Sequence, residues 1–317
     1  MNRIYSYVLS AVLVASLCAC GNRRSGAESG GQQPAPAAET RSFEMVVPPA
    51  VMTDTEERMR FMTEHYWDKF DFSDSLYIGL EEVTEQAFAD YVDLLQLAPR
   101  DMARVSVETM LGKAAVYKPM YLHMLELYDK YLYDPNSPMR NEELYLVVLE
   151  AVLADDKLDE YERVRPAYQL SMARRNRVGT RAADLGYTTA DGSQGTLYGI
   201  RADFTLLFFN NPGCPMCKEL REEIGDSPLL SEMINRGTMK VLAFYPDAEL
   251  DEWRDYASEI PASWINGYDT RQAVNNEGVY DVRAIPSLYL LDRGKTVLLK
   301  DVVSVSALED MIFDYKQ

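Results

Sequence analysis

Two cysteines three positions apart, Cys214 and Cys217, follow an apolar run and precede a helical pattern. The apolar run, residues 205–209, is typical of a strand buried in a sheet, and the Asn, Pro and Gly of residues 210–213 end it. Pro215 suits the first position of a helix, so Cys214 falls at the cap, where free backbone N–H groups and the helix dipole stabilise a thiolate. Cys217 lies one turn further along. The pattern therefore predicts a strand-to-helix turn that carries an attacking thiol and a resolving thiol.

Strand and helix patterns continue to alternate beyond this motif. Residues 241–245 form a second apolar run typical of a buried strand, and residues 249–256 have helical spacing. Residues 282–299 predict a strand that begins at a proline, a tight Asp-Arg-Gly-Lys turn and a partner strand, and residues 308–315 predict a closing helix. The alternation favours an α/β domain, which we place at residues 178–317.

Residues 178–317 resemble the thioredoxin fold, in particular the TlpA/ResA type of membrane-tethered thiol-disulfide oxidoreductase. A cis-proline faces the C-x-x-C motif in that family, and Ile285 with Pro286 matches the cis-proline motif. The resemblance implies a central mixed sheet flanked by helices, catalytic roles for Cys214 and Cys217, and supporting or substrate-binding roles for Ile285, Pro286 and Pro215. It also implies that a redox-active Cys214–Cys217 disulfide takes the place of a cofactor. The implied partners are protein thiols or disulfides and a membrane or periplasmic redox partner.

Two positions depart from the thioredoxin pattern. Phe208 stands six residues before Cys214, where cytosolic-type thioredoxins carry a buried aspartate, and Gly213 stands where they carry tryptophan. The charges after the motif act in opposite directions. Lys218 favours the Cys214 thiolate, whereas the glutamates at positions 219, 222 and 223 oppose it if they face the site. The sequence therefore predicts exchange chemistry but does not indicate whether the protein reduces, oxidises or isomerises disulfides.

Residues 43–177 carry apolar side chains at helical spacing and predict an all-helical domain ahead of the α/β domain. After two helices that precede Pro99, further helices are predicted over residues 102–117, 119–132, 142–154 and 166–177. Eleven of the 21 tyrosines and ten of the 15 methionines fall in this region, and their helix-period positions favour core filling over a peptide-binding groove. Residues 65–74 resemble a segment of a helical domain of unknown function found ahead of thioredoxin-like domains in bacterial envelope lipoproteins.

The N-terminal residues indicate export. Residues 1–19 read as a signal peptide, because a basic start precedes an apolar stretch too short for a comfortable membrane span. The stretch ends in Leu-Cys-Ala-Cys, which resembles the lipobox of bacterial lipoproteins and implies acylation of Cys20. Cleavage at an Ala-x-Ala-like site without acylation is the alternative. Residues 20–42 are rich in Gly, Ser, Gln and Pro and predict a disordered tether. We therefore expect a lipid-anchored protein that faces the periplasm of a bacterial envelope.

Composition and cysteine count narrow the remaining function classes. The formal net charge of −18 opposes binding to nucleic acid. A closed zinc site needs four ligands, and with Cys20 acylated the mature chain offers no third free cysteine, so we predict no metal. A purely structural disulfide remains open, since exported proteins carry many of them. The remaining alternative to an enzyme is a partner-binding lipoprotein whose thioredoxin-like domain is a redox-silent scaffold.

Overall fold

The computed structural model describes residues 41–315. The predicted signal peptide, the predicted acylation site Cys20 and the predicted tether as far as residue 40 lie outside the described residues. Arg41 at the end of the tether already pairs with Asp74, and the ring of Phe43 stacks on that of Tyr66 at a centroid distance of 5.2 Å. No helix between residues 41 and 315 is long and apolar enough to cross a membrane.

Six α-helices lie between residues 41 and 177 of the described chain. They are α1 (Thr55–His65), α2 (Glu81–Leu97), α3 (Arg100–Ala114), α4 (Lys118–Tyr128), α5 (Glu142–Ala154) and α6 (Glu160–Ala173). Acceptor side chains cap several of them: Asp54 accepts a hydrogen bond from the backbone N–H of Glu57 at α1, and Asn141 accepts one from that of Leu144 at α5. We call residues 43–177 the helical part.

A single aromatic-rich cluster forms the core of the helical part. Tyr66, Trp67, Phe88 and Tyr91 are buried in it, and their rings meet edge to face or tilted. Further methionines and tyrosines that the sequence assigns to the core are also buried, namely Met102, Met110, Met120, Met124, Tyr121, Tyr128 and Tyr145. The prediction that these residues fill the core is confirmed for this set.

Several predicted helix boundaries are wrong: α3 lies at residues 100–114 rather than 102–117, α6 at 160–173 rather than 166–177, and the closing helix at 305–315 rather than 308–315. Helix α6 was expected to begin at Pro166, but it begins at Glu160, because Asp159 and Glu162 form a capping box that satisfies the first N–H groups of the helix. Pro166 therefore lies inside α6. Helix α4 ends at Tyr128, and the chain continues through one π-helical turn, Asp129–Tyr133.

Seven strands form one mixed sheet in the second part of the chain. They are β1 (Gly186–Thr189), β2 (Gln194–Thr196), β3 (Phe204–Phe209), β4 (Met239–Tyr245), β5 (Ile265–Tyr268), β6 (Ser287–Asp292) and β7 (Val297–Val302). Their spatial order is β2-β1-β5-β4-β3-β6-β7, with β3, β4 and β5 parallel and the other pairs antiparallel. We call residues 178–315 the sheet part.

Five helices belong to the sheet part. They are α7 (Pro215–Asp226), α8 (Pro228–Asn235), α9 (Leu250–Tyr256), α10 (Ala273–Glu277) and α11 (Val305–Tyr315). Leu220 of α7, Leu230 of α8 and Leu308 of α11 pack in one cluster against one face of the sheet. Val274 of α10 packs in a second cluster against the other face. An all-helical part followed by a mixed sheet with helices confirms the predicted fold class.

The helical part and the sheet part belong to the same compact unit. Their division into two domains between residues 177 and 178 therefore stays a prediction.

Candidate active site

The loop between β3 and α7 is held at the centre of the sheet. Strand β3 lies between β4 and β6, and its end at Phe209 leads into Asn210, which is buried. The amide of Asn210 donates to the carbonyl oxygens of Phe208 (3.2 Å) and Phe244 (3.4 Å), which ties the loop to the ends of both parallel strands. The strand-to-helix turn predicted from the cysteine motif is therefore present and is hydrogen-bonded to both strands.

Cys214 is the N-cap residue of α7, and Pro215 occupies the first turn, as predicted. The backbone N–H of Cys217 donates to Cys214 Sγ at 3.1 Å, and a disulfide joins the two cysteines, whose Cα atoms lie 5.2 Å apart. Cys214 is partly exposed, whereas Cys217 is fully buried in the core cluster beneath α7. An incoming sulfur can therefore reach Cys214 but not Cys217.

The cis-proline segment lies directly against this cap. The Ile285–Pro286 peptide bond is cis, and Cys214 Sγ lies 3.8 Å from the carbonyl oxygen of Ile285. Antiparallel pairing of β6 with β3 sets Ser287 opposite Phe209, so the segment that enters β6 stands beside the loop that leaves β3. The structure thus brings Cys214, Cys217, Pro215, Ile285 and Pro286 together, the five residues predicted for the site.

A polar chain beside the motif was not predicted. The Asn211 amide donates to Asp247 Oδ2, and the Asn275 amide donates to Asp247 Oδ1, each at 2.9 Å. These contacts tie the motif loop to the loop after β4 and to α10. Burial, with the charge of Asp247 second, raises the pKa of Tyr245 just before this loop to about 12, so its phenol is neutral at pH 7. Asn pairs in turns are too common for the sequence to single these residues out.

The charges on α7 lie at the surface. Lys218 Nζ is 3.9 Å from Glu222 Oε1, and both side chains are well exposed, so solvent screens the pair. The glutamates at 219 and 223 are exposed as well. Phe208, which replaces the buried aspartate of cytosolic-type thioredoxins, is packed in the same cluster as Cys217. The direction of electron transfer is therefore not set by a buried carboxylate at position 208.

Gly213, directly before the cysteine motif, has a positive φ that residues other than glycine adopt only at a cost in stability. Its φ is +70°, yet an added Cβ would meet nothing within 4 Å, so Gly213→Ala is expected to destabilise the fold by about 1–2 kcal/mol through backbone strain alone. Gly225 in α7 also has open space around its Cα but no positive φ, so Gly225→Ala is expected to stabilise the fold by about 0.5–1 kcal/mol. Urea unfolding midpoints measure both changes. Equal shifts in the two variants would contradict this account of Gly213.

A solved structure that covers most of this chain shows which protein family it belongs to. A thioredoxin-like protein from Bacteroides caccae superposes with a TM-score of 0.82 at 44% sequence identity, over 87% of this chain and 99% of that chain. The chain belongs to the thioredoxin-like proteins. This thioredoxin-like protein also matches the model described as Domain of unknown function (DUF5106), over residues 19–176. That match covers the region in which the sequence resembles a helical domain of unknown function.

Two shorter structures each match less than half of this thioredoxin-like protein. The C-terminal domain of an uncharacterized protein from Bacteroides fragilis is 47% identical, over 43% of this chain and 96% of that chain, with a TM-score of 0.42. A domain of a possible thiol-disulfide isomerase from Cytophaga hutchinsonii is 25% identical, over 45% of this chain and 95% of that chain, with a TM-score of 0.39. No match was found among curated proteins.

Proposed function

We propose that this protein catalyses thiol-disulfide exchange on protein substrates through Cys214 and Cys217. The observation that carries the proposal is the pairing of a partly exposed cysteine at a helix N-cap with a fully buried cysteine one turn away, directly beside a cis-proline segment. The N–H groups of the cap stabilise a thiolate on Cys214. The buried partner is protected from outside thiols and can react only with Cys214.

The reaction consists of two successive thiol-disulfide exchange steps. In the reductive direction, the Cys214 thiolate attacks a substrate disulfide, so that a Cys214–substrate disulfide forms and the other substrate sulfur leaves as a thiolate. Cys217 then attacks Cys214 Sγ and restores the internal disulfide, while its proton passes to the second substrate sulfur, which leaves as a thiol. Two electrons pass to the substrate. A separate redox partner must return them, and the same steps in reverse donate a disulfide.

The reduction potential of the pair tests this proposal. Mass spectrometry of alkylated thiols across a series of thiol buffers is expected to show one two-electron transition between about −270 mV, the value of thioredoxin, and about −120 mV, the value of the oxidant DsbA. The low end would assign a reductase and the high end an oxidase. If the pair stays oxidised below about −300 mV, the disulfide is structural and the redox-silent scaffold becomes the better description.

The finer assignment also remains a proposal: a TlpA/ResA-type lipoprotein, tethered through acylated Cys20 to a bacterial envelope membrane and facing the periplasm. Its support is the apolar stretch, the Leu-Cys-Ala-Cys sequence and the polar residues that follow. We propose protein thiols or disulfides and an envelope redox partner as its partners, with no nucleic acid and no cofactor beyond the disulfide. Labelled palmitate is expected to enter the protein but not its Cys20→Ser variant. Equal labelling of both would exclude Cys20 as the acylation site.

A further inference from the structure

Arg283 joins the helical part to the segment that carries the cis-proline. It stands three residues before Pro286, and its guanidinium lies over the ring of Tyr133 at 3.9 Å from the centroid. One guanidinium nitrogen also donates to the carbonyl oxygen of Tyr133. Tyr133 belongs to the π-helical turn after α4, and its ring stacks on that of Tyr145 in α5. Arg283 therefore packs on a stacked pair of tyrosines in the helical part.

Carboxylates from both parts of the chain surround the same guanidinium. Asp281 Oδ2 lies 3.3 Å from its Nε, and Glu142 Oε2 and Asp301 Oδ2 each lie 3.6 Å from one terminal nitrogen. The Arg283 side chain is only 12% exposed, so these interactions are weakly screened by solvent. A planar guanidinium can face a ring and several carboxylates at once, which a lysine ammonium cannot.

Two of these carboxylates also form ion pairs with other basic residues. Lys300 Nζ donates to Glu142 at 2.5 Å, and Arg140 pairs with Asp301. Burial raises the pKa of Glu142, although Lys300 and Arg283 act in the opposite direction. Removal of any one member would leave a buried charge uncompensated, so the members hold one another in place.

The segment between Arg283 and the active site is short. Only Ala284 separates Arg283 from Ile285, whose carbonyl oxygen lies 3.8 Å from Cys214 Sγ. A displacement of Arg283 by an ångström would therefore move the Ile285–Pro286 backbone relative to the reactive sulfur. A shift of about an ångström in a segment that orients the substrate lowers the efficiency of the reaction.

We propose that Arg283 is a positioning residue through which the helical part holds the Ile285–Pro286 segment in place beside Cys214, so that the helical part sets the affinity for protein substrates. This inference rests on the proposed exchange function. Arg283 is enclosed by its partners and does not itself meet the substrate. Protein substrates need the Ile285–Pro286 backbone, whereas a small disulfide needs only access to Cys214.

Two variants of the full chain test the inference. Insulin is the protein disulfide, with dithiothreitol as the reductant that restores the dithiol form, and dithiobis(nitrobenzoate) is the small disulfide, which reacts with pre-reduced protein in a single turnover. Arg283→Gln is expected to raise KM for insulin roughly tenfold while kcat and the rate with the small disulfide stay within about twofold of wild type. Tyr133→Leu removes only the ring in the helical part and is expected to shift KM in the same direction. Arg293→Gln is the matched control, since Arg293 is 82% exposed and its ion pair, among residues 41–315, is with Asp203 at the surface.

The outcomes separate this inference from the proposed function. A wild-type protein whose reduced form reacts with neither disulfide contradicts the proposed function itself. If wild type is active and Tyr133→Leu and any folded Arg283→Gln protein keep the wild-type KM for insulin, the positioning role of Arg283 is refuted. A fall both in kcat for insulin and in the rate with the small disulfide, together with a lower thermal midpoint and an unchanged KM, would also refute it, because that pattern reports a loss of folded protein. If Arg283→Gln does not fold, Tyr133→Leu decides.

Discussion

Replacement of Cys214 with Ser is expected to reduce disulfide exchange on insulin to background, a loss on the order of 10³-fold or more. Cys214 is the partly exposed sulfur of the pair, and a serine hydroxyl cannot replace a thiolate in disulfide exchange. Turbidity of reduced insulin chains measures the loss. Met216→Ser is the control, because Met216 lies between the two cysteines, is 57% exposed, and its loss leaves both sulfurs in place.

Cys217→Ser is expected to behave differently from Cys214→Ser. The first exchange step remains possible, but no second thiol is present to resolve the mixed disulfide. A covalent Cys214–substrate adduct should therefore accumulate and appear on a non-reducing gel. Adducts with Cys214→Ser instead would reverse the assigned roles of the two cysteines. Full activity in both variants would contradict the exchange mechanism and favour the scaffold.

Replacement of Phe208 with Ala is expected to cost about 3–5 kcal/mol of unfolding free energy. Phe208 is fully buried in β3, in the same cluster as Cys217, and its ring meets that of Trp264 edge to face. The substitution removes a large ring from a packed core and leaves a cavity. Such a loss is a large share of the roughly 5–15 kcal/mol that stabilises a typical fold. Denaturant unfolding followed by circular dichroism measures it.

Phe313→Ala is the matched control for Phe208→Ala. Phe313 is 65% exposed on α11, so the same chemical change is expected to cost less than about 0.5 kcal/mol. Similar losses in the two variants would mean that Phe208 does not occupy the core position assigned to it.

The local sequence carried enough information to place the cysteine motif. An apolar run, loop residues and a proline at the start of a helix all lie within about a dozen positions, and each acts on its own neighbourhood. The same holds for helix α5, predicted over residues 142–154 and found at those bounds, because acidic residues begin it and the apolar run at residues 144–149 is buried. At α6 two local signals competed. Pro166 suggested a start, but the capping box at Asp159 stabilises an earlier one.

Contacts between segments that are far apart in the sequence could not be predicted from local sequence signals. The resemblance to thioredoxins suggested that Pro286 faces Cys214, but it is the pairing of β6 with β3 that brings Ile285 to 3.8 Å from Cys214. The hydrogen bonds of Asn211 and Asn275 to Asp247, and the contact of Arg283 with Tyr133, produce no periodic pattern in the sequence. Polar residues in loops follow no helical or strand spacing. Short-range propensity and apolar periodicity specify the elements and the reactive pair. Long-range packing brings together the groups that orient a substrate, because those groups meet only after the chain has folded.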